Sequence, residues 1–593
     1  MAKDAIDKSA INNDDIPSLL LTDLTTSEQT ALSESIVQVP PIPPISSVPP
    51  VGSDESIVSE RRQLVKSAGF VMLGNLGSSV LGMVRAVVIT SFGSGVAGPF
   101  NSAILPAQTF NDFLVNGSVS GALIPTFTDY ATPDKRDELR RLVFTLVNLV
   151  GLIMLFASLC FLFFLSPVFV NTVLRGYTPS GRDLTLHLSQ IVFFSLIALG
   201  PFAVLLAALY SLKEFGWPAF ATASYHVGII IGAIGGSLIA EQRYGNLGIA
   251  FGVLLGALGE IALLIPGLRR QRFGYMFVLD LKHPAIRRIL RLYGPVAVSF
   301  LGSTALIYFD QYLAASTRCL PFAIHLACGE ANNTALRNAT TLIQFPIGLV
   351  AAALSFAVLP TLSQHVRDGN DERFKETLLL GFRLGLLLMI PAAAGLIVLQ
   401  NPIVDLVFRH HNYTPADAQL TTLALQNYAY QLPFVAMDQL LIAAFYARKN
   451  TIVPVVVLFV SVLGYLAVAL PFRNTVMGMP MLALANAVQN SLHAVILLFL
   501  LRYVIGSIRV RETIPTVLKI LVVTAAMVAV AWGAQVLLSH VPLFALDTLL
   551  GSFLTVVVAG GLAVVVFFGG VLLLKVEEIS MLKGAVLAKL GRK

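Results

Sequence analysis

A single charge, Arg85, lies in the first long apolar segment of the chain, which covers about residues 68–92. Placing a guanidinium at membrane depth costs about 2.5–3.5 kcal/mol on insertion scales, so such a group usually faces a cavity, a charged partner or an anionic ligand. The alternative is that the side chain reaches back to the interface, because Arg85 lies seven residues, or about 10 Å of helix, before Phe92. Arg85 is therefore the first candidate for recognising an anion.

Three acidic residues also lie inside apolar segments, and each is adjacent to a side-chain amide: Asn111-Asp112, Asp310-Gln311 and Asp438-Gln439. Ionisable residues within membrane segments often mark ion pathways or proton relays, and hard cations prefer oxygen ligands. The alternative for each pair is hydrogen bonding between helices. The pattern indicates candidate cation or ion-pair sites, with Na⁺ or H⁺ as the coupling ion.

Other kinds of chemistry lack support in the sequence. It contains no G-x-x-x-x-G-K-[ST] nucleotide motif and no convincing Ser-His-Asp order, and His410-His411 has no cysteine or carboxylate at metal-ligand spacing. His226 and His493 lie in apolar segments, where packing in the core is the more common role. We therefore predict no catalytic residues, no metal site and no cofactor beyond a coupling ion, which favours transport over catalysis.

The composition places these residues in a membrane protein. The 593-residue chain is 56% hydrophobic and 12% charged, with a mean hydropathy of +0.79, whereas soluble domains carry about 25% charged residues. Apolar runs of membrane-spanning length predict an all-α polytopic membrane protein with about fourteen transmembrane helices, at residues 65–92, 97–130, 140–165, 187–211, 219–239, 246–268, 293–316, 335–362, 378–399, 420–447, 452–471, 480–500, 515–538 and 549–573.

The first 60 residues differ from the rest of the chain. Ten acidic residues and two lysines give them a net charge of −8. Because the whole chain carries +7, the remaining residues carry +15. The proline-rich stretch 39–50 favours polyproline II and cannot build a core. We predict that residues 1–60 form a disordered acidic tail, either inert or able to bind a cytoplasmic partner, and not a signal peptide.

The basic residues predict the orientation in the membrane. If the N-terminus lies inside, the inward loops hold more lysine and arginine than the outward loops, as the positive-inside rule requires. Examples of the inward residues are Arg269, Arg270, Arg272, Arg287, Arg288 and Arg291. Both termini are therefore predicted to be cytosolic. Topology explains the basic excess, and no nucleic-acid partner is expected.

Two of the three cysteines fall in one predicted outward loop. Cys319 and Cys328 lie nine residues apart after the seventh span, where a disulfide is chemically permitted. Cys160 is alone in the third span and is interpreted as a small apolar core residue.

Short sequence matches recur at a nearly constant spacing and indicate an internal repeat. The offsets are 225, 235 and 236 residues for the pairs Leu76–Ser79 with Leu301–Thr304, Leu123–Tyr130 with Val358–His365, and Tyr210–Pro218 with Tyr446–Pro454. This spacing equals six spans. We therefore predict two pseudo-symmetric six-helix lobes of the same orientation plus two extra C-terminal helices, a plan typical of transporters whose substrate site lies between the halves.

The repeat divides the chain into an N-lobe (61–268), a cytoplasmic linker (269–292), a C-lobe (293–500), and a final region of two helices with a basic tail (501–593). At an offset of 225, Arg85 corresponds to Asp310. We therefore predict that these two charges face one central cavity and form an ion pair, which would lower the cost of burying both. Alternatively, Asp310 binds a cation by itself.

Several motifs resemble those of one transporter family. They are Val80–Arg85, Ser91–Gly93, Leu105-Pro106, Gly117–Pro125 and Ala444–Pro454. The first four resemble the N-terminal signature of the lipid II flippases (MurJ/MviN), members of the multidrug/oligosaccharidyl-lipid/polysaccharide exporter superfamily, and the last is similar to the family's second signature. The resemblance covers about residues 62–575, and it implies the same architecture of two lobes and an extra helix pair.

The resemblance implies export of the undecaprenyl-pyrophosphate-linked peptidoglycan precursor across the bacterial cytoplasmic membrane by alternating access. A guanidinium suits a pyrophosphate because it is both cationic and rich in hydrogen-bond donors. The final two helices are implied to form a groove for the prenyl tail. The partners expected are this lipid-linked substrate and membrane lipids, and either the membrane potential or a Na⁺ gradient would drive transport.

The chain departs from the family pattern at several positions. The resemblance implies arginines where this chain has Ser79, Asn111-Asp112 and Thr341, an acidic residue at Asn116, and further sodium ligands at Gly464, Val468 and Asn486. Of the sodium ligands that the resemblance implies, only the carboxylate at Asp310 is present. We therefore expect Arg85 to stand almost alone in a site completed by Ser78, Ser79, Asn111, Asp112, Asn116 and Thr341.

These departures leave three functions open. The first is a divergent lipid II flippase with fewer head-group charges. The second is an exporter of another prenyl-linked glycan or of a cationic amphiphile, which would suit the carboxylates Asp112, Asp310 and Asp438. The third is a scaffold without transport, which recruits partners through its acidic tail.

Overall fold

The computed structural model describes Gly74 and residues 76–114, 122–239, 242–506, 513–546 and 548–576. All of them belong to a single compact unit that begins at Val65. The described residues contain helices and turns but no strand. The predicted all-helical fold is confirmed, whereas the predicted disordered tail, residues 1–60, lies outside the described residues.

Nineteen α-helices, numbered here in chain order, make up the described part of the chain. They are α1 Leu76–Thr90, α2 Ser94–Asp112, α3 Ile124–Thr128, α4 Arg136–Cys160, α5 Ser166–Val173, α6 Pro179–Phe193, α7 Leu196–Ser211, α8 Gly216–Ile239, α9 Gln242–Arg270, α10 Pro284–Ser316, α11 Cys328–Arg367, α12 Asp371–Val398, α13 Gln400–Phe408, α14 Pro415–Ala429, α15 Leu432–Ala447, α16 Ile452–Phe472, α17 Gly478–Ile505, α18 Ile514–Leu538 and α19 Leu549–Leu573.

Not every predicted span corresponds to a long, apolar helix. Within the described residues, eight helices are long and apolar enough to cross a membrane, and α6 with α7, bent by 40°, makes a ninth. The other predicted spans overlap α1, α2, α10, α11 and the α14–α15 pair. The structure thus establishes a polytopic helical membrane fold but does not by itself give the count of fourteen.

The internal repeat is visible in the bounds of the helices. The bent pair α6–α7 consists of 15 and 16 residues, and α14–α15 consists of 15 and 16 residues at an offset of 236 for every boundary. The starts of α8 and α16, and those of α9 and α17, are also 236 residues apart. The two lobes therefore share one backbone plan over their last four helices.

The turn that follows each bent pair repeats in conformation as well as position. Lys213 and Lys449 both have a φ of 59°, in the left-handed region that side chains seldom adopt. Each amide donates to a tyrosine carbonyl three residues back, at 3.0 Å to Tyr210 and 2.9 Å to Tyr446. The Tyr-x-x-Lys pattern found in the sequence is thus the signature of a helix-ending turn.

Glycine brings α8 and α9 into backbone contact. Gly228, Gly232 and Gly236 lie four residues apart on α8 and face Gly256, Gly252 and Gly248 on α9. A Cβ atom on Gly232 would lie only 2.3 Å from the Cα of Gly252. In a membrane, where lipid is as apolar as leucine, this close packing is a main source of helix association. These glycines therefore join α8 to α9 by close packing.

The two C-terminal helices pack on the C-lobe through one apolar cluster. Leu387 of α12 contacts a group that includes Ile520 and Val523 of α18 and Phe567 of α19. The outer surfaces of the pair remain apolar and exposed, at Leu518, Val522, Leu537 and Val565. A protein surface of this kind requires lipid around it.

We predict that Gly232→Val separates α8 from α9, because the added atoms meet backbone, which cannot turn aside as a side chain can. Overpacking costs about 1–3 kcal/mol in well-packed cores, so the thermal unfolding midpoint of the purified protein in detergent should fall. Gly235→Val is the matched control, since a Cβ there has nothing within 4 Å. Equal midpoints for the two variants would contradict this packing account.

Candidate substrate site between the lobes

Two arginines from opposite lobes lie near each other. Arg85 extends from α1 in the N-lobe, and Arg337 extends from α11 in the C-lobe, close enough for each charge to act on the other. Both side chains are half-buried. The expectation that Arg85 stands almost alone is therefore wrong. Two like charges in a membrane protein repel each other and favour an anion that both can contact.

The second helix of the N-lobe supplies partners for Arg337. Its Nη2 atom donates to Gln108 Oε1 at 3.3 Å, and the carboxylate of Asp112, one helical turn further along α2, lies within electrostatic range. No ion pair within 4 Å joins Asp112 to Arg337 among the described residues. Arg337 is thus oriented by α2 while its charge is only partly compensated.

The far side of Arg85 faces α8 and α9. The hydroxyl of Tyr225 and the imidazole of His226 lie within its electrostatic range, and His226 Nε2 would lie 3.3 Å from a Cβ atom on Gly82 of α1. Glu260 of α9 lies near Tyr225 and is buried, and its Oε2 atom has no hydrogen-bond partner within the described part of the chain. The site is therefore polar on both sides of the arginine.

The predicted ion pair between Arg85 and Asp310 does not form in this structure. Asp310 instead accepts a short hydrogen bond from the hydroxyl of Tyr465 on α16, and the neighbours of Arg85 are Arg337 and Tyr225. Each lone charge therefore lies near a tyrosine of its own lobe. Tyr225, near Arg85, is on the fifth predicted span, and Tyr465, bonded to Asp310, is on the eleventh. The pseudo-symmetry therefore did not predict the partners of these charges.

Asp438 is also satisfied inside the C-lobe. Its Oδ1 atom lies 2.6 Å from His493 Nδ1, and His493 Nε2 lies 3.1 Å from the carbonyl oxygen of Pro454. The three carboxylates proposed for a cationic substrate thus have separate neighbours: Arg337 for Asp112, Tyr465 for Asp310 and His493 for Asp438. They do not form one anionic site.

A seam of hydrogen bonds joins the lobes on the side of the Cys319–Cys328 loop. Glu330, at the start of α11 and fully buried, accepts at Oε1 from the amide nitrogen of Thr178 at 2.8 Å and from its hydroxyl at 2.6 Å. Thr178 is the N-cap of α6. A carboxylate near a helix N-terminus is stabilised by the free amides and by the helix dipole.

The repeat shows what Glu330 replaces. At the equivalent C-lobe position, Asp417 Oδ2 accepts from the amide of Thr414 at 3.0 Å and from its hydroxyl at 2.6 Å, within a single helix cap. The N-lobe has Gly181 in place of Asp417, and a Cβ atom there would lie 2.1 Å from Glu330 Oε1. The C-lobe therefore completes a helix cap of the N-lobe, which holds the lobes together.

Other contacts extend this seam. The pairs are Thr90 Oγ1 to Asn338 Oδ1 at 3.0 Å, Asn412 N to Ser91 O at 3.1 Å, Gln311 Nε2 to Ser102 Oγ at 2.7 Å, and Asn333 Nδ2 to Tyr177 OH at 2.8 Å. Arg337 follows Glu330 by seven residues, or about 10 Å along α11. The arginine pair therefore lies beneath a closed contact between the lobes.

The remaining predicted site residues have varied positions. Ser78 is half-buried and Ser79 is exposed on α1, and Asn111 Oδ1 is buried without a hydrogen-bond partner within the described chain. Thr341 donates to the backbone of Arg337 at 2.9 Å. Gln439 is half-buried next to Asp438. Asn116 lies outside the described residues. The sulfur atoms of Cys319 and Cys328 are bonded, with their Cα atoms 5.2 Å apart.

Sequence reasoning missed three residues that shape this region: Arg337, Glu260 and Glu330. Arg337 is a lone charge near the start of an apolar run, which is the same signal that identified Arg85. Glu260 is a lone carboxylate in the sixth predicted span. Glu330 carried no signal, because its partner is 152 residues away in the other lobe. Among the described residues, no group of three or more histidine, cysteine or acidic side chains could hold a metal ion.

Known proteins resemble this chain over most of its length. A probable lipid II flippase MurJ of Bdellovibrio bacteriovorus is 27% identical over 532 residues, which cover 88% of this chain and 97% of that protein. A probable lipid II flippase MurJ of Vibrio cholerae is 27% identical over 418 residues, which cover 67% and 75% respectively.

Solved structures share the fold. A lipid II flippase MurJ in an inward closed conformation superposes with a TM-score of 0.67 at 21% identity, covering 84% of this chain and 97% of that structure. An inward-facing multidrug resistance MATE family transporter of the MOP superfamily gives a TM-score of 0.57 at 15% identity, covering 73% and 95%. The family profile described as "Lipid II flippase MurJ" matches residues 88–551, most of the chain, and the protein therefore belongs to the lipid II flippase MurJ family.

Proposed function

We propose that this protein is a lipid II flippase, a transporter and not an enzyme, which moves the undecaprenyl-pyrophosphate-linked peptidoglycan precursor across the cytoplasmic membrane. The observation that carries the proposal is the pair of arginines from opposite lobes, Arg85 and Arg337, beneath the closed seam. A pyrophosphate presents several oxygens to which two guanidinium groups can donate charge-assisted hydrogen bonds.

The position of the arginines suits alternating access. An anion held between Arg85 of the N-lobe and Arg337 of the C-lobe offsets the repulsion between the two charges, so binding favours approach of the lobes. Release to the outside requires the seam at Glu330 to open. The polar head group would pass between the lobes while the prenyl chain stays in lipid, along the exposed apolar surface of α18 and α19.

The other two functions have less support. An exporter of cationic amphiphiles needs converging carboxylates, and Asp310 and Asp438 are instead held by Tyr465 and His493 within the C-lobe. A scaffold without transport has no need for two like charges between its lobes, since each buried guanidinium is costly. A different prenyl-linked glycan shares the pyrophosphate chemistry and is separated from lipid II by the rescue experiment below.

We also infer the orientation of the chain and a role for its tail. Both termini are assigned to the cytosol, because Arg269 and Arg270 in the last turn of α9, and Arg272 just after it, lie on the side where positive loops accumulate. The seam and the Cys319–Cys328 loop then face outward. The acidic residues 1–60 remain a candidate for binding a cytoplasmic partner.

We predict that Arg85→Gln and Arg337→Gln each abolish rescue of a strain depleted of its own lipid II flippase, at normal protein levels. Loss of a charge-assisted hydrogen bond costs about 1.5–3 kcal/mol, or roughly ten- to hundredfold in affinity. The readout is colony formation with immunoblotting of the membrane fraction.

Arg448→Gln is the matched control for these variants. Arg448 pairs with Asp371 at 3.0 Å away from the seam, so its loss should leave rescue intact. Full rescue by either site variant would remove that arginine from head-group binding. Failure of the unmodified chain to rescue, with protein present in the membrane, would favour another prenyl-linked substrate.

We predict that Glu330→Ala opens the seam. Ser102 is fully buried there, so a cysteine at this position, in a chain with Cys160→Ser, should react slowly with a membrane-impermeant thiol reagent added outside. Loss of the two hydrogen bonds to Thr178 should raise the labelling rate about tenfold or more, since about 1.4 kcal/mol corresponds to a factor of ten.

A second variant distinguishes loss of the link between the lobes from loss of the N-terminal cap of α6. Adding Gly181→Asp to Glu330→Ala supplies the cap acid from within the helix, as Asp417 does in the C-lobe, but does not restore the link between lobes. Labelling of this double variant should stay fast. A return to the slow rate would show that Glu330 acts only as a helix cap.

A further inference from the structure

Asp438 and His493 form a buried polar pair that head-group binding does not use. Asp438 lies on α15, His493 on α17, and the third member, the carbonyl of Pro454, on α16. The side chains are only 12% and 7% exposed. Three helices of the C-lobe therefore meet at one imidazole ring.

The geometry requires one shared proton. The Pro454 carbonyl can only accept a hydrogen bond, so His493 Nε2, 3.1 Å away, must carry a hydrogen. Between His493 Nδ1 and Asp438 Oδ1, 2.6 Å apart, a second hydrogen must lie, bonded to one atom or the other. The pair thus holds one proton more than a carboxylate with a neutral imidazole. Without this proton, the single N–H of the neutral imidazole could serve only one of the two contacts, and a ring lone pair would face an oxygen at the other.

The fold does not need a polar pair at this position. At the repeat offset of 236, Asp438 corresponds to Phe202 on α7 and His493 to Ala257 on α9, and both are buried in the N-lobe. The same backbone plan is therefore stable with apolar side chains there. Burying a polar pair costs desolvation that such residues avoid, which points to a role other than packing.

Several ionisable groups lie on the surrounding helices. They are Asp310 on α10, Arg337 on α11, Arg383 on α12, Tyr428 on α14 and Tyr465 on α16. Asp310 is bonded to Tyr465, with Tyr428 near both, and Arg337 is bonded to Gln108. His493 itself contacts Asp438 and the Pro454 carbonyl.

We propose that Asp438 and His493 together form a proton-binding site that couples the C-lobe to the transport cycle. A proton from water binds between Asp438 Oδ1 and His493 Nδ1 and holds α15, α16 and α17 together. Its release to water leaves a carboxylate and a neutral imidazole with a single N–H, which cannot donate to both Asp438 and the Pro454 carbonyl, so one of the contacts that join the three helices is lost. The coupling to lipid movement rests on the proposed function, whereas the proton site itself does not.

Thermal unfolding of the full-length protein in detergent, measured from pH 5.5 to 8.5, tests the proton site without any substrate. The wild-type midpoint should fall as the pH rises and the shared proton is lost. Asp438→Asn should remain folded and lose this component, because its amide can donate to Nδ1 while Nε2 still donates to Pro454. If the unfolding midpoint of the wild type depended on pH in the same way as that of Asp438→Asn, the proposed proton-binding site would be overturned.

Gln431→Ala is the matched control, because it removes a hydrogen bond between α15 and α17 that has only a structural role. Asn490, on α17 near His493, donates to Gln431 at the start of α15, and neither residue titrates. This variant should lower the midpoint equally at every pH and keep the wild-type pH dependence. Loss of the pH dependence in Gln431→Ala would overturn the assignment to Asp438 and His493.

Lipid II movement in proteoliposomes with and without an imposed pH gradient tests the coupling. One pH unit corresponds to a tenfold change in proton activity, so the wild-type rate should respond to the gradient and the Asp438→Asn rate should not. An equal response in both proteins would overturn the coupling. Absence of lipid II movement by the wild type under every gradient would contradict the proposed function, and the unfolding curves would still decide the proton site.

Discussion

The repulsion between Arg85 and Arg337 is the constraint on which the rest of this structure depends. Each guanidinium is costly at membrane depth, and each lies in the field of the other. Gln108, Asp112 and Tyr225 compensate this charge only in part. The side chains at the site thus leave positive charge between the two lobes, which an anionic head group can neutralise.

The seam at Glu330 keeps the lobes together despite this repulsion. Its hydrogen bonds to Thr178 complete a helix cap that the C-lobe builds for itself with Asp417. The same backbone motif therefore serves as a local cap in one lobe and as a link between lobes in the other. Besides hydrogen bonds, the link contains a small apolar cluster that includes Leu174 and Ala315, so we expect that it can break without unfolding either lobe.

Much of the fold could be predicted from the sequence, because the signals were local. Apolar runs predicted the helices, and the Tyr-x-x-Lys pattern predicted the equivalence of the two turns. Arg85 was found because a charge is conspicuous in an apolar run. Arg337 is also a lone charge in an apolar run, but it was missed because it lies near the start of the run, where Asn333, Thr334 and Asn338 make a charge less conspicuous.

The partners of the charges could not be predicted, because they depend on how the helices pack. Pseudo-symmetry relates Arg85 to Asp310 along the chain, but a symmetry-related position need not be a neighbour in space. Tyr465 lies 155 residues from Asp310, and Glu330 lies 152 residues from Thr178. Only the folded structure shows that Asp310 and Asp438 are satisfied within the C-lobe, whereas Glu330 and the two arginines have neighbours in the opposite lobe.

A double-mutant cycle on lipid II binding tests most directly whether the two arginines hold one head group. The affinity of the purified protein for lipid II would be measured for the wild type, Arg85→Gln, Arg337→Gln and the double variant. If both guanidinium groups contact the same pyrophosphate, the single losses should be non-additive, with a coupling energy of about 0.5–3 kcal/mol. Additive losses, or wild-type affinity in either single variant, would contradict a shared head-group site.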